Sequence, residues 1–225
     1  MHAPQQLPRD DGEHDFVKLI GLTPVGRSVG IQPETTISIA ELSRDPEVFW
    51  ACRRGYDIAR VRNELLEMAL ADYDFDYALF LDADNVTRLR DLIHAVELLG
   101  DAAVLAGHYK LRAGDGGYVS AQRRSNTTLR LEDLINQGEP FVVDRVAGGC
   151  MLLNLQWFRQ NWSKRPWFVF EQEVNSPSED YWFSDKLRER GGTLLFHPRW
   201  FVGHVDVRRG SARELEADLL SLEGT

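Results

Sequence analysis

Apolar positions along the chain change period several times, and each change marks an element. The run "FVKLIGL" at residues 16–22 reads as a buried strand, with Thr23-Pro24 as a turn that stops it. After a loop-like "TPVGRSVGIQPET", the stretch "ISIAELSRDPEVFW" is compatible with a short helix or an extended piece. In "DIARVRNELLEMALADYD" the residues Ile58, Val61, Leu65, Met68 and Ala69 fall near helical spacing. The apolar run "YALFL" then ends in Asp82-Ala83-Asp84. "RLRDLIHAVELLG" is a helix with Leu89, Leu92, Ile93, Val96 and Leu99 on one face, closed by Gly100.

The second half is more mixed. "AAVLAGHY" reads as a strand, and residues 110–145 are polar and weakly periodic, the pattern of an insertion or mobile loop. "VAGGCMLLNL" is a strand with a Gly-Gly interruption, "QWFRQNW" a short helix and "PWFVF" a brief strand. "SEDYWFSDKLRERGG" is a helix capped by Ser178. "TLLFHP" and "WFVGHV" read as two short strands, and "SARELEADLLSLEG" as a C-terminal helix. Residues 1–14, rich in Pro, Gln and Asp, have the composition of a disordered tail, which leaves 15–225 as one domain. Alternating strands and helices predict an α/β fold with a mainly parallel central sheet and a mixed C-terminal half.

Charge and cysteine usage narrow the function classes. A net charge of −9 over 225 residues argues against non-specific attraction to nucleic acid or anionic membrane. Two cysteines, Cys52 and Cys150, suggest neither a disulfide framework nor a zinc site. The polar start lacks the apolar segment of a signal peptide, and no window reaches the roughly 18 apolar residues of a membrane span. A cytoplasmic protein is the expectation.

The chemistry gathers around the carboxylate pair. In a parallel α/β sheet, ligands bind beyond the carboxyl ends of the strands, and residues i and i+2 of an extended chain point the same way. Asp82 and Asp84 therefore converge, and their repulsion invites a hard divalent cation with open positions for phosphate oxygens. A helix cap or turn is the plainer role for either residue. "ARVRN" puts Arg60, Arg62 and Asn63 on the preceding helix, where they meet phosphate or base groups or are merely solvated. Gly148-Gly149 signals a bulge or the close approach of a ligand. Glu179 and Asp180 open a helix beside Tyr181, Trp182 and Phe183. Acids are favoured at a helix start without any function, while aromatics beside them raise a carboxyl pKa and shape a sugar-binding floor. His204 closes an apolar run; His197, before Pro198, has no evident role.

The order of these pieces, from Thr23-Pro24 through "ARVRN", "LFLDADN", "AGGCMLL" and "SEDYWF" to "GHV", resembles the GT-A glycosyltransferases, in particular small family 2 enzymes. The resemblance spans roughly residues 16–205 and implies a GT-A-like, Rossmann-related sandwich. It implies a nucleotide-diphosphate sugar donor across the crevice and Mn²⁺ or Mg²⁺ held by Asp82, Asp84 and His204. Asp84 would be the more direct ligand, and Asp82 would contact the ribose or share the metal. Thr23, Pro24, Arg62 and Asn63 would lie against the nucleotide, and Gly148 and Gly149 would line the donor-sugar or acceptor side. Trp182 would line the sugar or acceptor. Asp180, with Glu179 second, would be the base that activates an acceptor hydroxyl in an inverting transfer. The acceptor stays open among a glycan, a small molecule and a hydroxylated DNA base. No acid is evident at the end of a second strand to hold a uracil, so the nucleobase is open too. Lys110, Arg112, Arg123, Arg124 and Arg130 make the 110–130 stretch locally basic, as a solvated loop, a lid over a diphosphate or a contact for a phosphate-rich acceptor.

Two other classes fit part of the pattern. "LFLDADNV" matches the first motif of haloacid-dehalogenase-like phosphatases, with Asp82 as nucleophile and Asp84 as acid/base. That reading leaves "ARVRN", the Gly-Gly strand and His204 unused. A sugar-nucleotide binder without turnover would keep the crevice and lose the chemistry.

Overall fold

A computed structural model describes residues 18–27, 30–109, 118–123, 127–130, 137–171 and 176–205. The expected N-terminal tail, the C-terminal helix and the basic residues Lys110, Arg112 and Arg124 lie outside the described residues.

The first half alternates as the pattern predicts: β1 (Leu19–Gly26), α1 (Pro33–Leu42), β2 (Val48–Gly55), α2 (Ile58–Ala71), β3 (Tyr77–Leu81), a short β4 (Asn85–Val86), α3 (Leu89–Leu99) and β5 (Val104–His108). There follow β6 (Tyr118–Arg123), β7 (Thr127–Arg130), β8 (Phe141–Val142), β9 (Arg145–Val146), β10 (Cys150–Asn154), α4 (Leu155–Asn161), α5 (Glu179–Glu189), β11 (Leu194–Phe201) and β12 (Gly203–His204). Seven strands form the central sheet in the order β2-β1-β3-β10-β5-β11-β8. Within it β2, β1, β3, β5 and β11 run one way, and β10 and β8 run against them. The expected segment 110–145 is not simply a loop, because its described parts supply strands, three of which pair as β7-β6-β9.

The central strands are buried on both faces, so their side chains alternate between two cores. Ile20, Leu22, Ala78, Phe80, Ala106, Met151 and Leu153 face the core under α2, α4 and α5. Leu19, Leu79, Leu81, Leu105, Cys150 and Leu152 face the core under α1 and α3. Stacked rings fill the first core: Phe168 and Phe183 lie 4.6 Å apart and nearly parallel. Arg159 closes the end of α2 by donating to the carbonyls of Ala69 (3.4 Å), Leu70 (3.4 Å) and the cap residue Asp72 (2.7 Å), which serves carbonyls that a helix end leaves unpaired.

Three local expectations need correction. Thr23-Pro24 does not stop β1, which continues to Gly26 against β2. Pairing with β3 ends at Leu22, so Pro24 sits where only one strand flanks it, and its missing N–H is tolerated. "PWFVF" is not a strand; Asn63 holds it, as described below. "TLLFHP" and "WFVGHV" are not two equal strands: β11 runs through Pro198 with a register shift between His197 and Phe201, and β12 adds two residues. "ISIAELSRDPEVFW" is both of its alternatives, the rest of α1 and the start of β2. No helix among the described residues is long and apolar enough to cross a membrane.

Candidate active site

Six elements deliver side chains to one edge of the sheet. β3 and β5 end there, and β10, running against them, begins there. An antiparallel strand thus brings its N-terminal residues, Gly148-Gly149, to the place where its neighbours bring their C-terminal residues, Asp82 and Tyr109.

The glycine pair is the hub. All four of its backbone polar groups are engaged by site residues. Gly148 N donates to Asp180 Oδ2 (2.9 Å), and Gly148 O accepts from Arg62 Nη1 (2.8 Å). Gly149 N donates to the Tyr109 hydroxyl (2.8 Å), and Gly149 O accepts from Asp82 N (2.9 Å). A Cβ on Gly148 would fall 2.9 Å from the Arg62 guanidinium carbon; one on Gly149 would meet the Asn85 amide and lie 2.6 Å from the Tyr109 hydroxyl oxygen. These glycines, expected to line the donor-sugar or acceptor side, are closely approached by the protein's own Arg62, Asn85 and Tyr109 side chains, which leave no room for a Cβ.

Arg62 is an internal cation. It is 2% exposed, its Nη2 donates to Asp82 Oδ1 at 2.7 Å, and its Nε lies 3.7 Å from Glu179 Oε1. The rings of Phe80 and Phe168 flank it. Burial works against its charge, but Asp82, Glu179 and Asp180 outweigh that and hold it protonated. Asn63, the other expected nucleotide contact, is spent on the fold. Its Oδ1 accepts from Trp167 N and Phe168 N, and its Nδ2 donates to Phe168 O and Ala59 O, which uses all that an amide offers. Thr23 and Pro24 are buried inside β1 instead of standing at its tip, and Thr23 Oγ1 accepts from Trp50 Nε1 at 3.0 Å. Arg60 is on the surface with Glu64.

The loop after β3 is held from all sides. Gln32 N donates to Ala83 O, Asn85 N to Asp82 O, and Val205 N to Asp84 O. Pairing of β4 with β12 sets His204 beside this loop, and His204 Nε2 lies 3.7 Å from Asp84 Oδ2. The two aspartates therefore divide: Asp82 turns to Arg62, and Asp84 faces His204. Among the described residues no group of three or more His, Cys, Asp or Glu side chains forms a ready metal centre. Asp84 and His204 fit half a site for a hard divalent ion, which commonly takes its other ligands from phosphate oxygens and water. Burial pushes the Asp82 carboxyl up to about 6; Arg62 opposes this, and the charges of Asp84, Glu179 and Asp180 add to it. Burial also raises Glu179, again against Arg62.

Asp180 is fixed as a hydrogen-bond acceptor. Besides Gly148 N, it receives Tyr181 N (2.8 Å) and the Ser178 hydroxyl. Three donors occupy three of a carboxylate's about four lone-pair sites and leave one. The expected Ser178 cap does not form by its side chain, which turns to Asp180 instead. Trp182 packs partly against the core, with Nε1 donating to Glu171 Oε1 at 3.2 Å.

Two residues of the cluster carry no motif of their own. Tyr109 is buried, its ring 5.6 Å from that of His204. Burial and the charges of Asp82 and Asp180 push its phenol well above the ordinary value, so it stays a neutral hydroxyl that accepts from Gly149 and keeps its own proton to donate. Asn85 is 1% exposed, and both polar atoms of its amide lack a partner among the described residues. The usable signals are Tyr109's place after an apolar strand and Asn85's place next to the acid pair.

The fold has counterparts among solved structures. The chain aligns with the crystal structure of A197 from STIV at a TM-score of 0.61 and 17% identity, covering 84% of this chain and 86% of that one. It aligns with GalNAc-T7, solved with UDP, GalNAc and Mn²⁺, at a TM-score of 0.53 and 14% identity, over 86% of this chain and 45% of that one. The chain therefore spans less than half the length of GalNAc-T7. No protein-family model matches the sequence, and no curated protein matches it. At these identities the likeness shows the fold, which is GT-A-like.

Proposed function

We propose that the protein is a glycosyltransferase that moves a sugar from a nucleotide-diphosphate sugar to an acceptor hydroxyl, with inversion and with Mn²⁺ or Mg²⁺. One observation carries this reading: Asp82, Asp84, His204, Glu179 and Asp180, from three separate segments, gather at one edge of a GT-A-like sheet beside a buried arginine from a fourth. GalNAc-T7, a neighbour in fold, was solved with a nucleotide and Mn²⁺, which supports the choice of ligands.

In this reading Asp84 and His204 hold the ion, and Asp82, steadied by Arg62, shares it or takes the ribose. A divalent ion would supply positive charge where the departing diphosphate develops negative charge. Asp180 uses its remaining lone pair to accept the acceptor's hydroxyl proton, with its orientation fixed by Gly148 N, Tyr181 N and Ser178. Glu179 balances Arg62. The contact between Arg62 and Asp82 favours this assignment over the phosphatase, whose nucleophilic aspartate would be Asp82 itself.

The test is a screen of nucleotide sugars for slow donor hydrolysis with Mn²⁺ present. The reading expects at least one donor to be hydrolysed, with loss of turnover but not of nucleotide binding in Asp180→Asn. Trapping of a phosphorylated Asp82 would instead install the phosphatase.

A further inference from the structure

His94 on α3 and His197 on β11 stand with their ring centroids 6.0 Å apart. Neither is a member of the proposed ion site. His94 lies at the surface, its side chain 58% exposed, and its Nδ1 is 3.3 Å from Glu97 Oε2, about one turn along the same helix. A carboxylate at Nδ1 fixes the tautomer with the proton there and leaves the Nε2 lone pair free. That is the arrangement that backs a metal-ligating histidine.

His197 lies behind it in the fold. It is 5% exposed, and its Nδ1 has no hydrogen-bond partner among the described residues. A histidine kept inside for its hydrogen bonds would have that nitrogen served. Burial, with His94 next, lowers its pKa from 6.5 to about 4. The ring is therefore neutral at physiological pH, the form that binds a metal. The charges of Glu139 and Arg199 also reach His197; Glu139, like Glu97, favours a cation nearby, and Arg199 works against it.

The spacing suits one shared ion. Two imidazoles on a tetrahedral ion, with metal–nitrogen bonds of about 2.0–2.1 Å, have centroids about 5 Å apart. A small turn of the exposed His94 ring closes the observed 6.0 Å to that value.

We propose that His94, through Nε2, and His197, through a ring nitrogen, hold a Zn²⁺ ion between α3 and β11. No third His, Cys, Asp or Glu side chain joins them among the described residues, so water fills the other two positions. The ion clips together two elements that frame the carboxylate cluster: α3 follows the Asp82-Ala83-Asp84 loop, and β11 leads to His204. Mn²⁺ and Mg²⁺ prefer oxygen ligands and are poor substitutes here.

The test is the melting temperature with and without added Zn²⁺, together with calorimetric titration of Zn²⁺. Both use the full chain carrying Cys52→Ser and Asp84→Ala, which removes an exposed thiol and the proposed ion site as competing ligands. Zn²⁺ is expected to bind with a stoichiometry of one and to raise the melting temperature, and Mn²⁺ to do neither. Adding His94→Ala should leave melting without metal unchanged, abolish the rise with Zn²⁺ and weaken binding at least tenfold. Glu97→Gln keeps both imidazoles and should weaken binding by about tenfold. The proposal is overturned if Zn²⁺ does not bind, if either variant binds it as the parent does, or if Mn²⁺ raises the melting temperature equally. Because Asp84 is already replaced in the protein tested, neither result bears on the transferase reading.

Discussion

Arg62 Nη2 sits 2.7 Å from Asp82 Oδ1 at a position where the arginine is almost wholly removed from solvent. The pair ties the helix before β3 to the loop after it, and through Gly148 O it also ties both to the start of β10.

Removing that cation should cost more than any other single change in the cluster. In Arg62→Met, Asp82 and Glu179 lose their counter-charge in a half-buried site, a loss of about 3–5 kcal/mol. For a chain of this size the melting temperature should fall by roughly 10 °C. Arg62→Lys keeps the charge but not the forked contact with Asp82 and Gly148, and should fall between. Unchanged melting in Arg62→Met would show that the ion pair contributes nothing.

Tyr109→Phe removes the acceptor for Gly149 N and leaves a buried N–H unpaired, at about 1–3 kcal/mol. Gly149→Ala forces the Asn85 amide and the Tyr109 hydroxyl apart and should be at least as damaging, about 1–3 kcal/mol from overpacking alone. Both should also blunt any response to nucleotide and Mn²⁺, since the same turn fixes Asp82 and Asp180. Denaturant titration gives the stability, and a ligand-induced melting shift gives the site's integrity. A Gly149→Ala protein that melts and binds like the wild type would contradict the packing at the hub.

These contacts mark the limit of what the sequence displays. The apolar run into Asp82-Ala83-Asp84 is legible as a buried strand, β3, that stops at the acids, because carboxylates are costly to carry into a core. Arg62 and Asn63 are visible as residue types, but their burial is not. Their partners, Gly148 and Phe168, lie 86 and 105 residues further on, and helix periodicity carries no information about distant elements. Thr23-Pro24 and Pro198 mislead for a shared reason: proline is a reliable stop only where its N–H is needed. Near Pro24 β3 no longer pairs with β1, and near Pro198 the ladder with β5 shifts register.

His197 sets an acid limit on stability away from the site. It is 5% exposed, its Nδ1 has no partner among the described residues, and its ring lies 6.0 Å from that of His94. Burial, with His94 next, lowers its pKa from 6.5 to about 4. The unfolded chain therefore takes up the proton first. Its contribution is whole above pH 6.5 and is lost as pH falls toward 4. His197→Leu should flatten the acid limb of a melting-temperature profile over that window relative to wild type. Parallel profiles would show that His197 does not govern the limb.

The most direct measurement is the melting temperature of the wild type and of Asp84→Ala with a panel of nucleoside diphosphates, with and without Mn²⁺. At ligand concentrations about a hundredfold above Kd, bound ligand adds about 2.7 kcal/mol, or roughly 5–10 °C for a chain of this length. The account predicts that at least one diphosphate raises the wild-type value only when Mn²⁺ is present, and that Asp84→Ala loses the rise. No rise with any diphosphate, or an equal rise in Asp84→Ala, would contradict it.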